Sequence, residues 1–149
     1  MVKIDESVMI DRPVEEVWKF MTDWSNFTKI NPAILEAKQI SLEPRGVGTT
    51  VEAKLRNPNI IEKDVNIQVI EYEPNRKLTL EHTSGATKGT KTIFTLETIE
   101  WKTKLTLATD AKLSGFFKLI GPFVVGRERR EVNNMVNSIK RALESETKR

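Results

Sequence analysis

A chain of 149 residues, 38% hydrophobic and 30% charged, is large enough to bury a core without disulfides or a metal. The absence of cysteine excludes a disulfide framework, a thiolate zinc site and cysteine catalysis. No apolar run approaches the roughly 18 residues of a membrane helix and the N-terminus lacks a signal-peptide core, so the expectation is a cytoplasmic protein without membrane insertion.

Lys and Arg number 24 against 21 Asp and Glu, a net charge of +3. The signs are interspersed, and the densest basic patch, Arg127 to Arg130, carries Glu128 and is followed by Glu131. That pattern describes a solvated helix face, and no nucleic acid partner is expected. Without repeats, low-complexity tracts or linkers, the chain reads as one domain over residues 1–149.

Val2 to Ile10 alternates as a strand, with Val2, Ile4, Val8 and Ile10 on one face and Glu6 interrupting it. A bulge near Glu6-Ser7 would change that phase. Pro13 suits the first position of a helix through Met21, with Glu15 and Glu16 in its first turn. Val14, Val17, Trp18 and Met21 form its apolar stripe. A second short helix through Trp24, Phe27 and Ile30 stops at Asn31, because the residue before a proline avoids helical angles.

The period then becomes two. Strands are predicted at Ile34–Glu43, Thr49–Arg56, Ile60–Glu73, Lys77–Thr83, Lys88–Ile99 and Lys102–Lys112. Their short connections favour antiparallel hairpins. Only the Ile99–Lys102 join lacks a glycine or proline. Beyond Leu113-Ser114-Gly115, Phe116 to about Glu144 reads as a long helix with a stripe of Val125, Val132, Met135, Val136, Ile139 and Leu143. Pro122 either kinks its first turns or marks its true start. The fold class is α+β. A long helix laid over a curved seven-stranded antiparallel sheet leaves a chamber between them, the usual form of a small-molecule site.

Ser7-Val8-Met9-Ile10-Asp11-Arg12-Pro13-Val14-Glu15-Glu16-Val17-Trp18-Lys19-Phe20 resembles the opening of polyketide cyclase/dehydrase-like proteins, part of the START-like, birch-pollen-allergen-like superfamily. Asp23-Trp24 before Asn31-Pro32, Gly46-Val47-Gly48-Thr49, the Glu71 to Pro74 stretch before Lys77-Leu78, and Gly115 to Phe123 leading into the last helix fit the same family. The resemblance implies a helix-grip fold and a cavity for lipids, polyketides, sterols or isoprenoids. It implies no particular reaction. Its members include carriers, lipid-transfer domains, chaperone activators and a few cyclases, and it has no universal catalytic residues to transfer.

The candidate lining residues are Leu80, His82, Thr92, Phe94, Leu96, Phe117, Phe123 and Met135. His82, the single histidine, shares a strand face with Leu78 and Leu80 and would hold a ligand's polar end or act as a base. The plainer and preferred reading is a histidine near a strand end, satisfied by water or a neighbouring hydroxyl. Phe94, between Thr92 and Leu96, is a wall candidate. Phe116, Phe117 and Phe123, among Gly115, Gly121 and Gly126, suggest a lid at the chamber mouth, and helix-end packing explains them equally well. Glu6, Glu36, Lys38 and Glu128 occupy inward phases beside apolar neighbours; a one-residue register error that sends each charge outward is the preferred reading.

No metal or other cofactor is expected: one histidine without cysteine leaves only carboxylates, and Glu62, Asp64, Glu71 and Glu73 are spread along one strand. Neither Ser84 nor Ser114 sits in a nucleophile elbow, and Gly46-Val47-Gly48 precedes no helix. The leading expectation is binding of an apolar small molecule. A polyketide-cyclase-like catalyst of aldol condensation or dehydration is the alternative, with His82 as base and Glu36 or Glu128 behind it. A protein partner docking on Phe116 to Val125 is a third.

Overall fold

The first strand pairs with the last. In the computed structural model, which describes residues 2–31, 34–42, 45–57, 60–84, 88–111 and 121–145, β1 (Val2–Ile10) lies beside β7 (Lys102–Ala111). From β7 the sheet runs back through β6 (Lys91–Ile99), β5 (Lys77–His82), β4 (Ile60–Glu73) and β3 (Thr50–Asn57) to β2 (Ile34–Gln39). All six pairings are antiparallel. With the helices described next, this is the expected α+β helix-grip fold.

Between β1 and β2 lie α1 (Val14–Met21), a 3₁₀ turn (Trp24–Asn26) and α2 (Phe27–Ile30). Pro13 stands one residue earlier than predicted, in extended conformation at the cap of α1, and its carbonyl accepts from the amides of Glu16 and Val17. Val17, Trp18, Phe20 and Met21 are buried, and the ring of Trp18 meets Tyr72 edge-on at 5.2 Å. The Asp23 carboxylate caps the 3₁₀ turn by accepting from the Ser25 amide. Trp24 donates its indole N–H to Gln39 at 2.7 Å, fastening this turn to β2, and the Arg45 guanidinium covers its ring at 5.5 Å. Asn31 is extended, as its proline neighbour requires.

The register explains where sequence phase held and where it failed. The β1–β7 pairing is unbroken from Val2 to Ile10, so no bulge occurs at Glu6-Ser7. Shifts do occur between Ile34 and Glu36, between Ala53 and Leu55, and between Val69 and Glu71. The first and third reverse which parity of β2 and of β4 points inward, whereas on β3 Val51, Ala53 and Leu55 stay buried with one parity. The join at Ile99–Lys102 is a two-residue turn in which Glu100 takes the left-handed conformation, φ 61°, without help from glycine. β2 stops at Gln39 and β6 starts at Lys91, both shorter than predicted.

The terminal helix α3 (Gly121–Ser145) begins at Gly121, so Pro122 sits in its first turn; the predicted start at Phe116 lies outside the described residues. Val132, Val136, Ile139 and Leu143 are buried as one stripe. The helix packs on β1, α2 and β7. It thereby links the β1–β7 edge of the sheet to α2, which itself packs on β2 at the other edge. Its last turns are tied to the β1–α1 junction: Lys140 donates to the Met9 carbonyl at 2.6 Å, and the Asp11 amide donates to the Glu144 carboxylate at 3.0 Å.

Candidate functional site

Four rows of paired residues cross the inner face of the sheet. The first, Val8–Leu105–Leu96, is apolar. The next runs Glu6–Leu107–Phe94–Leu78–Tyr72, and the third Ile4–Thr109–Thr92–Leu80–Val69. The fourth is His82–Ile67–Val51–Gln39. Leu78, Leu105 and Leu107 are completely buried. In the third row Thr92 is half-buried beside Leu80 and Thr109, and in the fourth His82 is half-buried beside Ile67; Val8, Glu6 and Tyr72 in the first two rows are half-buried as well. Within β5 and β6 the inward residues become more polar and more accessible toward the turn that joins them, Leu78 and Leu80 giving way to His82 and Leu96 and Phe94 to Thr92.

Leu80, His82, Thr92, Phe94 and Leu96 all carry the inward parity of their strands. Leu80, Phe94 and Leu96 are buried. His82 lies beside Ile67, its amide donating to the Thr90 carbonyl at 3.0 Å and its own carbonyl accepting from Gly89. His82 also has a further interaction of its own. A depression of about 380 Å³ opens next to it, walled by Glu81, Thr83, Lys88 and Gly89. A second depression, about 440 Å³, is bordered by Thr95, Glu97, Lys104 and Thr106, which have the outward parity, so it belongs to the other face of the sheet. Met135 is half-buried on α3 against the core. Phe117 lies outside the described residues, and so do the side chains of Phe123 and Glu128; the expected aromatic lid and the docking patch fall there.

Three of the ambiguous charges are placed by the register. Glu6 does face inward, contrary to the preferred sequence reading. Its carboxylate accepts from Arg129 at 2.9 Å and from Asn133 at 3.2 Å, so the charge is compensated by α3. Glu36 and Lys38 are exposed: the irregularity after Ile34 moves Ala37 and Gln39 inward and leaves Ile40 49% exposed. Lys38 pairs with Glu52 at 3.9 Å on the outer face. Glu36 is thereby removed from the group that could support His82 in catalysis.

Thr109 is the inward residue that sequence reasoning passed over. The signal was available, since it continues the phase of Leu105 and Leu107. Titration is perturbed elsewhere. Glu71 is held below the ordinary carboxylate range by the Thr79 hydroxyl at 2.6 Å and then by Lys77, at the outer surface. Glu144 is lowered by Lys140 and the Asp11 amide. Among the described residues no three His, Asp or Glu gather closely enough to hold a metal ion, and no helix is long and apolar enough to cross a membrane.

The family model described as "Polyketide cyclase / dehydrase and lipid transport" matches residues 1–144. No curated protein matches the chain. Among solved structures, a START superfamily protein from Mycobacterium smegmatis superposes with a TM-score of 0.78 at 12% identity, over 97% of this chain and 99% of that one. The Polyketide_cyc-like protein Cgl2372 from Corynebacterium glutamicum gives 0.65 at 22% identity, over 98% and 93%. The di-domain ARO/CYC BexL from the BE-7585A biosynthetic pathway gives 0.72 at 14% identity, over 100% of this chain and 48% of that one.

Proposed function

Because the chain belongs to the polyketide cyclase/dehydrase and lipid transport family, we propose that it binds an apolar small molecule, of the lipid, polyketide or isoprenoid kind, between the inner face of the sheet and α3. One observation carries this reading. On β5 and β6 the inward residues are buried at Leu78, Leu80, Phe94 and Leu96 and become accessible at His82 and Thr92, where an imidazole and a hydroxyl enter the face. A tightly filled core has no reason to place its residual exposure on an inward-facing row. Transfer of ligand surface from water, at about 25 cal/mol per Å², supplies the affinity, so size counts for more than specific contacts. Such a protein acts as a carrier and needs no cofactor.

The alternative is a cyclase-like enzyme, favoured by the inward position of His82 and by the fold shared with a di-domain ARO/CYC. It is the weaker reading. General acid–base work on a polyketide wants a second positioned group. Glu36 faces away, and Glu6 is engaged by Arg129. Native mass spectrometry of freshly purified protein tests the binding reading: a co-purified apolar molecule of a few hundred daltons is expected. A homogeneous unliganded mass, with no mass shift on incubation with a mixture of fatty acids, sterols and polycyclic phenols, refutes it.

A further inference from the structure

The register sets Thr92 on β6 directly opposite Thr109 on β7, both with inward parity. Their neighbours in the same row are Leu80 and, one strand further, Val69, which is wholly buried. The row next to it presents Phe94 and Leu107. Two hydroxyls are thus set side by side in apolar surroundings. Thr109 is more than nine-tenths buried, yet among the described residues no hydrogen bond holds either hydroxyl. The other four buried threonines among the described residues behave differently. Thr22 donates to the Trp18 carbonyl, Thr79 to Glu71 and Thr103 to the Arg12 carbonyl, while Thr49 accepts from the Gly46 amide. The fully enclosed polar side-chain atoms that lack a partner among the described residues are Arg12 Nε and Asn66 Oδ1; the Thr109 hydroxyl is not one of them and so keeps open space beside it into which a ligand atom can reach.

We propose that the Thr92–Thr109 pair is a binding site for a neutral oxygen atom, a keto or hydroxyl group, on the apolar ligand. This inference rests on the ligand-binding reading above and names the chemistry that reading leaves open. Directly paired residues hold their Cβ atoms roughly 4.5–5.5 Å apart, so both hydroxyls reach the same atom between them. A carbonyl oxygen accepts from both. A ligand hydroxyl accepts from one and donates to the other.

The oxygen is neutral because, among the described residues, no free charge attends it. Lys91, Lys104 and Asp110 have the opposite parity and point away. Arg129, which α3 brings to this face, is taken by Glu6. A carboxylate or phosphate would be desolvated here without a counter-charge. The site therefore selects an oxygenated ring or chain over a fatty acid and over a plain hydrocarbon.

The test compares 2-naphthol with 2-methylnaphthalene, probes of matched shape that differ in the oxygen, on the full chain and on its Thr92→Val, Thr109→Val and doubly substituted forms, by fluorescence titration. The ratio of naphthol to methylnaphthalene affinity is expected to fall about tenfold in the double variant, with methylnaphthalene binding unchanged or tighter. The thermal midpoint of ligand-free Thr109→Val is expected to stay within about 2 °C of the parent, so that a lost preference is not lost folding. A ratio unchanged by the double substitution, or a larger fall in midpoint showing that the hydroxyl was already satisfied, overturns the oxygen site and leaves the cavity standing. Failure of both probes to bind the unsubstituted protein overturns the cavity and the oxygen site together.

Discussion

Ile139→Ala probes whether α3 is seated on the sheet as described. Ile139 is 0% exposed, midway along the stripe that packs on β1, β7 and α2. The substitution deletes three carbons, a transfer loss of about 2.4 kcal/mol at about 0.8 kcal/mol per carbon. Neighbours on the sheet and on α2 cannot both close the gap, so the residual cavity raises the cost to about 3–4 kcal/mol, within the range of about 2–5 kcal/mol for such truncations. A chain of this size loses about 2–4 °C per kcal/mol, which predicts a midpoint lowered by roughly 6–15 °C. Guanidinium chloride unfolding followed by circular dichroism gives the free energy directly, and Arg141→Ala, exposed on the same helix, is the control, expected within about 0.5 kcal/mol of the parent. A loss below about 1 kcal/mol for Ile139→Ala would mean that the stripe is not buried against the sheet, and the fold-based argument for a ligand site would fall with it.

Glu144 gives a pH dependence with a definite sign. Lys140 and the Asp11 amide lower its pKa in the folded chain below the ordinary 4.5. The stabilisation is therefore complete above 4.5 and is lost as pH falls through the lower folded value; Glu144→Gln should flatten that part of a stability–pH curve and leave stability above pH 6 less than the parent's. Trp24→Phe removes the 2.7 Å bond to Gln39, half-buried on β2, and should cost about 1–2 kcal/mol in denaturant unfolding. Glu100→Gly relieves a left-handed residue at an exposed turn, and its midpoint should rise by about 1–2 °C in calorimetry. His82→Ala should leave 2-naphthol binding within about threefold if the protein is a carrier, since the apolar rows supply most of the affinity; loss of all binding would refute that assignment.

Local chemistry made much of the architecture readable. Val2–Ile10 and Val14–Met21 appear at the bounds that alternation, Pro13 and the acidic first turn indicate. Glu36 and Lys38 share the nominal phase of Ile34 yet face outward, in line with the preferred reading, because an irregularity after Ile34 adds half a period without any glycine or proline to mark it. The fate of Glu6 was hidden for another reason. Its partner Arg129 lies 123 residues away, and only tertiary packing shows that the charge has somewhere to go. The same holds for the hydroxyl pair: each threonine is unremarkable on its own strand, and the β6–β7 register makes them neighbours. Periodicity reports which way a residue points along one element; it carries no information about what stands across from it.

The pairing of Val2 with Ala111 has a kinetic consequence. While the chain emerges from a ribosome, the opening segment must wait unpartnered for more than a hundred residues to be synthesised. Six later strands can zip up hairpin by hairpin, yet the seat for the closing helix is incomplete until the two distant ends meet. Such long-range closure makes for high contact order and slow, late consolidation. The waiting segment, with its alternating apolar residues, is the part of a nascent chain most in need of protection from mispairing.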